Sequence, residues 1–180
     1  MASRWRRRDF VGLLGAAALL GLRARADAKE SRERRLSFYN THTEERLDTV
    51  YWQDGHYLDE GLKAIDWILR DHRTGEVAKM EHDLLNLLVA LRLRLASDEP
   101  FHIVSGYRSP ASNDYLRARD PDSGVAENSQ HVKAKAADIR VPGRELLAVR
   151  AAAVELRGGG VGYYPASGFV HVDVARVRYW

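Results

Sequence analysis

The spacing of apolar residues predicts several helices along the chain. One helix is predicted between residues 58 and 70, where a helical period is carried by Leu58, Leu62, Ile65 and Leu69. Residues 82–100 have a broad apolar face, which predicts a strongly buried helix ended by Pro100. Residues 111–120 suit one or two helical turns. A further helix is predicted over 143–160, with glycines closing its C-terminal end.

Alternation with a period of two predicts strands around these helices. Residues 36–52 read as two strands joined by a polar turn, and residues 101–110 as a short strand running into a turn. The other strands are predicted over 136–142, 161–164 and 169–180. Because helices come first and strands cluster late, the pattern favours an α+β domain. In this fold class, helices pack on a small antiparallel sheet rather than forming βαβ units.

The first 28 residues differ from the rest of the chain in charge. They hold six of the 28 basic residues and two of the 25 acidic ones, which leaves 22 basic and 23 acidic residues. The formal charge of +3 therefore comes from the N-terminus. The remainder has no basic stripe that would follow a phosphate backbone, so we expect no nucleic-acid partner.

Residues 1–28 are typical of an export signal. An arginine cluster precedes an uncharged run over residues 10–22, and small residues follow at A-x-A spacing. The segment RRDFV, residues 7–11, resembles the twin-arginine pattern, which implies the twin-arginine translocase as a partner and the periplasm as the destination. A retained amphipathic anchor is the alternative. Residues 29–35 are predicted to be a flexible lead-in, and residues 36–180 one domain.

Two of the seven histidines lie in surroundings that suit a metal ion. The chain has no cysteine, so metal ligands must come from histidine and carboxylate side chains. His131 lies in a polar loop seven residues before Asp138, which projects from the polar face of a strand. His171 and Asp173 alternate with valines. Two histidines and a carboxylate are a common catalytic zinc set, but these residues alone also allow ordinary structural histidines.

Three segments carry motifs that occur together in one family. They are the S-x-H-x-x-x-x-A-x-D pattern at residues 129–138, SGYRSPASN at residues 105–113, and the terminal block at residues 159–180. These motifs resemble those of the zinc peptidases that act on bacterial cell walls. That superfamily includes D-Ala-D-Ala carboxypeptidases, lysostaphin-type enzymes and the hedgehog N-terminal domain. The terminal block is similar to that of the YcbK/MepK-like murein endopeptidases.

This resemblance implies a site and an activity. His131, Asp138 and His171 would bind Zn²⁺, and Arg108 would donate to the substrate carbonyl oxygen as it becomes an oxyanion. The implied fold is a small antiparallel sheet with helices packed on it. The implied function is a zinc metallopeptidase that cleaves the peptide cross-links of peptidoglycan. A D-alanyl-D-alanine carboxypeptidase, or a catalytically inactive wall-binding protein of the same fold, is the alternative.

Two positions depart from the family's pattern. Ala134 stands in a turn where relatives often have glycine, and alanine suits that turn unless φ is positive. Many relatives carry the catalytic base two or three residues before the last ligand, where this chain has Phe169 and Gly168. Asp173 is the nearest candidate for proton transfer. The alternative is that Asp173 only orients the site through a hydrogen bond.

Five further residues are expected to act near the site or in the core. Tyr163 and Tyr164 would line the cleft or stabilise the intermediate, with packing within the strand as the alternative. Gln130 would approach the zinc ion, and Ser129 would hold its loop through a bond from side chain to backbone. Trp180 is expected to close the core.

Overall fold

The computed structural model describes residues 32–119 and 125–180. The strands are β1 (Glu33–Asn40), β2 (Arg46–Gln53), β3 (His56–Tyr57), β4 (Phe101–Ser105), β5 (Ala136–Arg140), β6 (Gly160–Tyr164), β7 (Phe169–Asp173) and β8 (Arg178–Tyr179). The helices are α1 (Asp59–Ile68), α2 (His82–Leu95), α3 (Pro110–Arg119) and α4 (Leu146–Leu156). The predicted export signal lies outside the described residues. Within them, no helix combines the length and hydropathy that crossing a membrane requires.

The strands form one sheet in the order β3-β2-β1-β4-β5-β7-β6-β8. The predicted α+β class is confirmed, because helices pack on a mostly antiparallel sheet. Two neighbouring pairs are parallel, namely β1 with β4 and β6 with β8. The connection from β1 to β4 contains α1 and α2, a crossover long enough to return the chain in the same direction. Local alternation does not encode strand direction, so the sequence did not predict these two pairs.

Three helices and the core lie on one face of the sheet. Helix α1 packs on β2, α2 on β1, and α4 on β6 and β7. Alternate strand residues point into this layer and are buried, among them Phe38, Ile103 and Val172. Burial of these apolar side chains is the main stabilising contribution to the domain. The intervening residues project from the opposite face, which we call the open face.

Several element boundaries differ from the predicted ones. The predicted helix over 143–160 is shorter, at Leu146–Leu156, and the predicted strand over 169–180 is divided into β7 and β8. β1 begins at Glu33, inside the predicted lead-in, because residues 33–35 pair with β2. The guanidinium of Arg34 also lies 4.5 Å from the ring centroid of Trp52. Helix α2 ends at Leu95, before Pro100, because Ala96 turns into the left-handed region at a φ of 46°. The chain thus leaves the helix through a backbone turn and not through proline.

Candidate metal centre

His131, Asp138 and His171 converge on the open face of the sheet. Asp138 in β5 and His171 in β7 are directly opposed partners in the antiparallel ladder, so their side chains share a face. His131 Nε2 lies 3.1 Å from His171 Nδ1 and 3.3 Å from Asp138 Oδ1. His171 Nδ1 lies 2.9 Å from the same carboxylate oxygen. All three side chains are buried, and each offers one possible ligand atom to a common point.

The loop before β5 fixes the position of His131. The backbone N–H of His131 donates to Ser129 Oγ at 3.3 Å, which matches the expected bond from loop side chain to backbone. The loop closes through an N–H of Lys135 that donates to the carbonyl of Gln130 at 2.9 Å. Ala134, which stands where relatives often have glycine, has a φ of 56° and therefore lies in the left-handed region. That conformation costs roughly 1–2 kcal/mol for a residue with a Cβ.

Hydrogen bonds on the outer nitrogens orient both imidazoles. His131 Nδ1–H donates to the carbonyl of Gly106 at 2.7 Å, and His171 Nε2–H donates to Asp173 Oδ2 at 3.0 Å. With those protons outside, the inner Nε2 of His131 and the inner Nδ1 of His171 present lone pairs. Two such lone pairs facing each other beside a carboxylate need a cation between them. Two nitrogens and one oxygen are donors that suit Zn²⁺.

The charge state of His171 leads to the same conclusion. Burial alone would lower the pKa of His171, but hydrogen bonds to Asp138 and Asp173 outweigh burial and raise it. Burial would likewise raise the pKa of Asp138, yet the nearby His131 and His171 hold it well below its usual range. A raised pKa means that His171 keeps a proton on its inner nitrogen up to a higher pH than an ordinary histidine does. A divalent metal would displace that proton, so protons and metal compete for the site.

Arg108 lies beside this cluster. Its side chain is buried, its NH2 atom lies 3.9 Å from Asp138 Oδ2, and its NH1 donates to Asn113 Oδ1 at 3.3 Å. Among the residues that the structure describes, its Nε has no hydrogen-bond partner. This Nε is itself buried, whereas the guanidinium as a whole lines the cleft beside the candidate ligands. Asn113 also donates to the carbonyl of Ala126 at 3.2 Å and so ties Arg108 to the loop that leads to His131.

A second buried carboxylate, Asp71, holds the segment that carries Arg108. Asp71 Oδ2 accepts hydrogen bonds from Ser109 N–H at 2.8 Å and from Ser109 Oγ–H at 2.7 Å. On the other side of Arg108, the N–H of Tyr107 donates to the carbonyl of Leu69 at 2.7 Å. The end of α1 and the loop after it therefore fix the residues on both sides of Arg108.

Asp173 is a fully buried acceptor with its oxygens occupied. Besides His171, it accepts two hydrogen bonds from Arg178, at 3.1 Å and 2.6 Å, and one each from the backbone N–H groups of Gly160 and Ala175. Burial would raise the pKa of Asp173, but these hydrogen bonds hold it well below its usual range. The geometry favours the alternative in which Asp173 orients His171 over the proton-transfer role.

The two tyrosines of β6 lie on opposite faces. Tyr164 lines the cleft together with the three candidate ligands, and its ring centroid lies 4.7 Å from that of Phe169. Tyr163 packs against the core, with the guanidinium of Arg150 5.9 Å from its ring centroid. Tyr163 therefore has the packing role that was given as the alternative, and it does not line the cleft. The expected loop residues 129 and 130 both line the cleft.

The prediction that Trp180 closes the core is wrong. Its side chain is 46% exposed, its ring centroid lies 5.4 Å from that of His171, and its indole N–H donates to Tyr164 Oη at 2.8 Å. A Cβ on Gly162 would lie 2.6 Å from the Trp180 ring, and one on Gly160 would lie 2.5 Å from Asp173 Oδ2. Gly160 and Gly162, at alternate positions of β6, were the sequence signal that large side chains pack against this face of the strand.

Together these groups line a cleft of about 150 Å³ on the open face. A buried His-Asp-His cluster beside an arginine, on a sheet backed by helices, fits the class of metal-dependent peptidases that the motifs resembled. A family model described as "Peptidoglycan L,D-endopeptidase MepK" matches residues 27–180. The chain belongs to this family of M15 peptidases.

Similar proteins extend over nearly the whole chain. "Peptidoglycan L,D-endopeptidase MepK" of Escherichia coli (strain K12) is 37% identical over 177 residues, which covers 97% of this chain and 96% of that protein. "Probable peptidoglycan L,D-endopeptidase MepK" of Haemophilus influenzae is 42% identical over 149 residues, with 81% and 77% covered. The resemblance inferred from the three motifs is thus confirmed.

Proposed function

We propose that this protein is a zinc-dependent endopeptidase that hydrolyses peptide cross-links of peptidoglycan. The observation that carries the proposal is the convergence of His131 Nε2, Asp138 Oδ1 and His171 Nδ1 at one point of an open cleft. The names of the similar proteins specify an L,D bond, and we propose the same class of bond for this chain.

His131, Asp138 and His171 would hold the zinc ion. When bound, zinc supplies a water molecule of lowered pKa and polarises the substrate carbonyl. The chain's own contribution begins with Arg108, whose guanidinium lines the cleft beside Asp138 and suits the oxygen on which negative charge develops. Tyr164 accepts the indole N–H of Trp180, so its own hydroxyl proton is free to be donated into the cleft.

Asp173 is assigned a positioning role. By accepting His171 Nε2–H, it fixes the tautomer in which Nδ1 faces the metal position. Arg178 balances the buried charge of Asp173 through two hydrogen bonds. Among the described residues that line the cleft, Asp138 is the sole carboxylate, so these residues supply no second carboxylate for proton transfer.

Residues 1–28 would direct the protein to its substrate. We propose that they form a twin-arginine signal that sends the domain to the periplasm. Replacing Arg7 and Arg8 with lysine should keep the protein in the cytoplasm, as measured by fractionation. Normal export of that variant would point to the general secretory route.

The activity is tested by digesting purified cross-linked sacculi with the zinc-loaded protein and separating the muropeptides. Conversion of cross-linked dimers into monomers is expected, and H131A should produce none. Shortening of pentapeptides alone would identify a carboxypeptidase. Absence of new fragments would refute the peptidase activity and leave the inactive wall-binding protein as the alternative.

A further inference from the structure

A row of cationic and aromatic side chains crosses the open face of the sheet. Its members are Arg46 in β2, Tyr39 in β1, His102 in β4, Arg140 in β5, Phe169 in β7 and Tyr164 in β6. The strand register places Tyr39 opposite both Arg46 and His102, and His102 opposite Arg140. Phe169 is opposite Tyr164. We call this set the cation–aromatic row.

Direct contacts link members of the row. The guanidinium of Arg46 lies 4.5 Å from the ring centroid of Tyr39, and the Tyr39 and His102 rings are 4.9 Å apart. Arg140 NH2 donates to the carbonyl of Ser167 at 2.9 Å, in the turn that leads into β7. The row ends at the aromatic residues 164 and 169, which also line the catalytic cleft.

The row contains two arginines and no carboxylate, although Glu99 acts on His102 from outside the row. Arg46 and Arg140 are exposed, and no carboxylate in the described part of the chain forms an ion pair with either. Burial, together with the nearby Arg46 and Arg140, lowers the pKa of His102. A lowered pKa favours the neutral imidazole, so Tyr39 and His102 form an aromatic stretch between the two guanidinium groups.

The row crosses six strands of the sheet, whereas only its last two residues line the cleft. Six adjacent strands spaced by about 4.8 Å span roughly 24 Å. An extended peptide of about seven residues has that length. When the bond to be cut lies in the cleft, the rest of a cross-linked pair of stem peptides is long enough to extend along the row. The free carboxylates of these peptides are complementary in charge to the two arginines.

We propose that the cation–aromatic row binds the part of the cross-linked peptidoglycan peptide that lies outside the catalytic cleft, with Arg46 and Arg140 pairing with its carboxylates. This inference rests on the proposed function, since it extends the same substrate across the sheet.

The test measures binding separately from cleavage. Zinc-loaded protein is sedimented with sacculi at 4 °C to measure binding. Cleavage is measured in parallel at 37 °C, by digesting the treated sacculi with a muramidase and separating cross-linked from monomeric muropeptides. The double variant R46Q/R140Q is expected to bind about three- to tenfold more weakly than the unaltered protein, because two exposed ion pairs are lost. The matched control K63Q/R157Q removes the same charge from α1 and the end of α4, and should bind as the unaltered protein does.

Sacculi with amidated carboxylates provide the second arm. The unaltered protein should bind them as weakly as R46Q/R140Q binds native sacculi. Equal binding by R46Q/R140Q and the unaltered protein would overturn the proposal, as would equal weakening by the control pair. If cross-linked muropeptides are not lost at 37 °C while the binding differences remain, the peptidase activity is refuted and the binding surface stands.

Discussion

Asp173 shows how a residue's surroundings decide between two chemical roles. A general base needs an accessible acceptor, whereas Asp173 is fully buried and accepts from His171, Arg178 and two backbone N–H groups. Its position therefore suits the orientation of a metal ligand.

The variant D173N tests this positioning role. We expect zinc affinity to fall about 10- to 100-fold, because the hydrogen bond that orients His171 is weakened. Saturating zinc should then restore most of kcat. Zinc titrations of activity and binding measure both effects, and melting curves check folding. A kcat that stays low at saturating zinc would return Asp173 to the proton-transfer role.

Arg108 is expected to act on the transition state rather than on substrate binding. R108Q should lower kcat about 10²- to 10³-fold with little change in KM, because the guanidinium interacts most strongly with developing negative charge. Steady-state kinetics and metal analysis measure the effect, with R117Q on the exposed face of α3 as the control. Unchanged kcat in R108Q would contradict the role.

At the scale of elements, connections between secondary structures position the site. The loop after α1 holds the Arg108 segment through Asp71, and the β5–β7 ladder holds two of the candidate ligands. The ends of helices also carry strain, since Ala96 after α2 has a left-handed backbone.

Ala96 offers a direct test of helix termination. A96G should stabilise the protein by roughly 1 kcal/mol and raise Tm by about 2–4 °C, because glycine adopts a positive φ without steric cost. The same exchange in the exposed middle of α4, A151G, should lower stability by about 1 kcal/mol. Thermal unfolding measures both. Shifts of the same sign would show that φ does not control the effect.

Asp71 makes stability depend on pH. Burial alone would raise its pKa, but hydrogen bonds from Ser112, Ser109 and Arg73 outweigh burial and hold the pKa below its usual range. A lowered folded-state pKa stabilises the protein above the unfolded-state pKa near ~4, and this contribution is lost as pH falls toward the folded-state pKa. D71N should therefore melt lower than the unaltered protein at pH 7, and the gap should narrow by pH 3. A Tm difference that stays the same from pH 7 to pH 3 would contradict a stabilising role of the ionised Asp71.

The sequence predicted the candidate ligands better than it predicted their surroundings. His131, Asp138 and His171 could be picked out because strand alternation and local motifs mark them. Arg178 and the position of Trp180 were missed, because both depend on the parallel pairing of β8 with β6. Such pairing is set by long-range contacts that neighbouring residues do not encode.

At the scale of the whole molecule, the two faces of the sheet differ in role: the helix-covered face holds the core, and the open face carries the candidate site. Three helices bury the core on one side, so the other side can carry polar groups at high density. The three candidate ligands come from a loop and two strands, so a bound ion would crosslink parts of the fold that are distant in the chain.

Zinc should therefore stabilise the whole domain. At a free zinc concentration of 100 times Kd, binding contributes about 2.7 kcal/mol, which corresponds to a rise in Tm of about 5–10 °C. Calorimetry with zinc and with a chelator measures the difference, and H131A should lose most of it. Because the pKa of His171 is raised, protons compete for its inner nitrogen, and the zinc-dependent rise should shrink as pH falls from about 7.5 to about 5.5. An equal rise in H131A would show that zinc binds elsewhere.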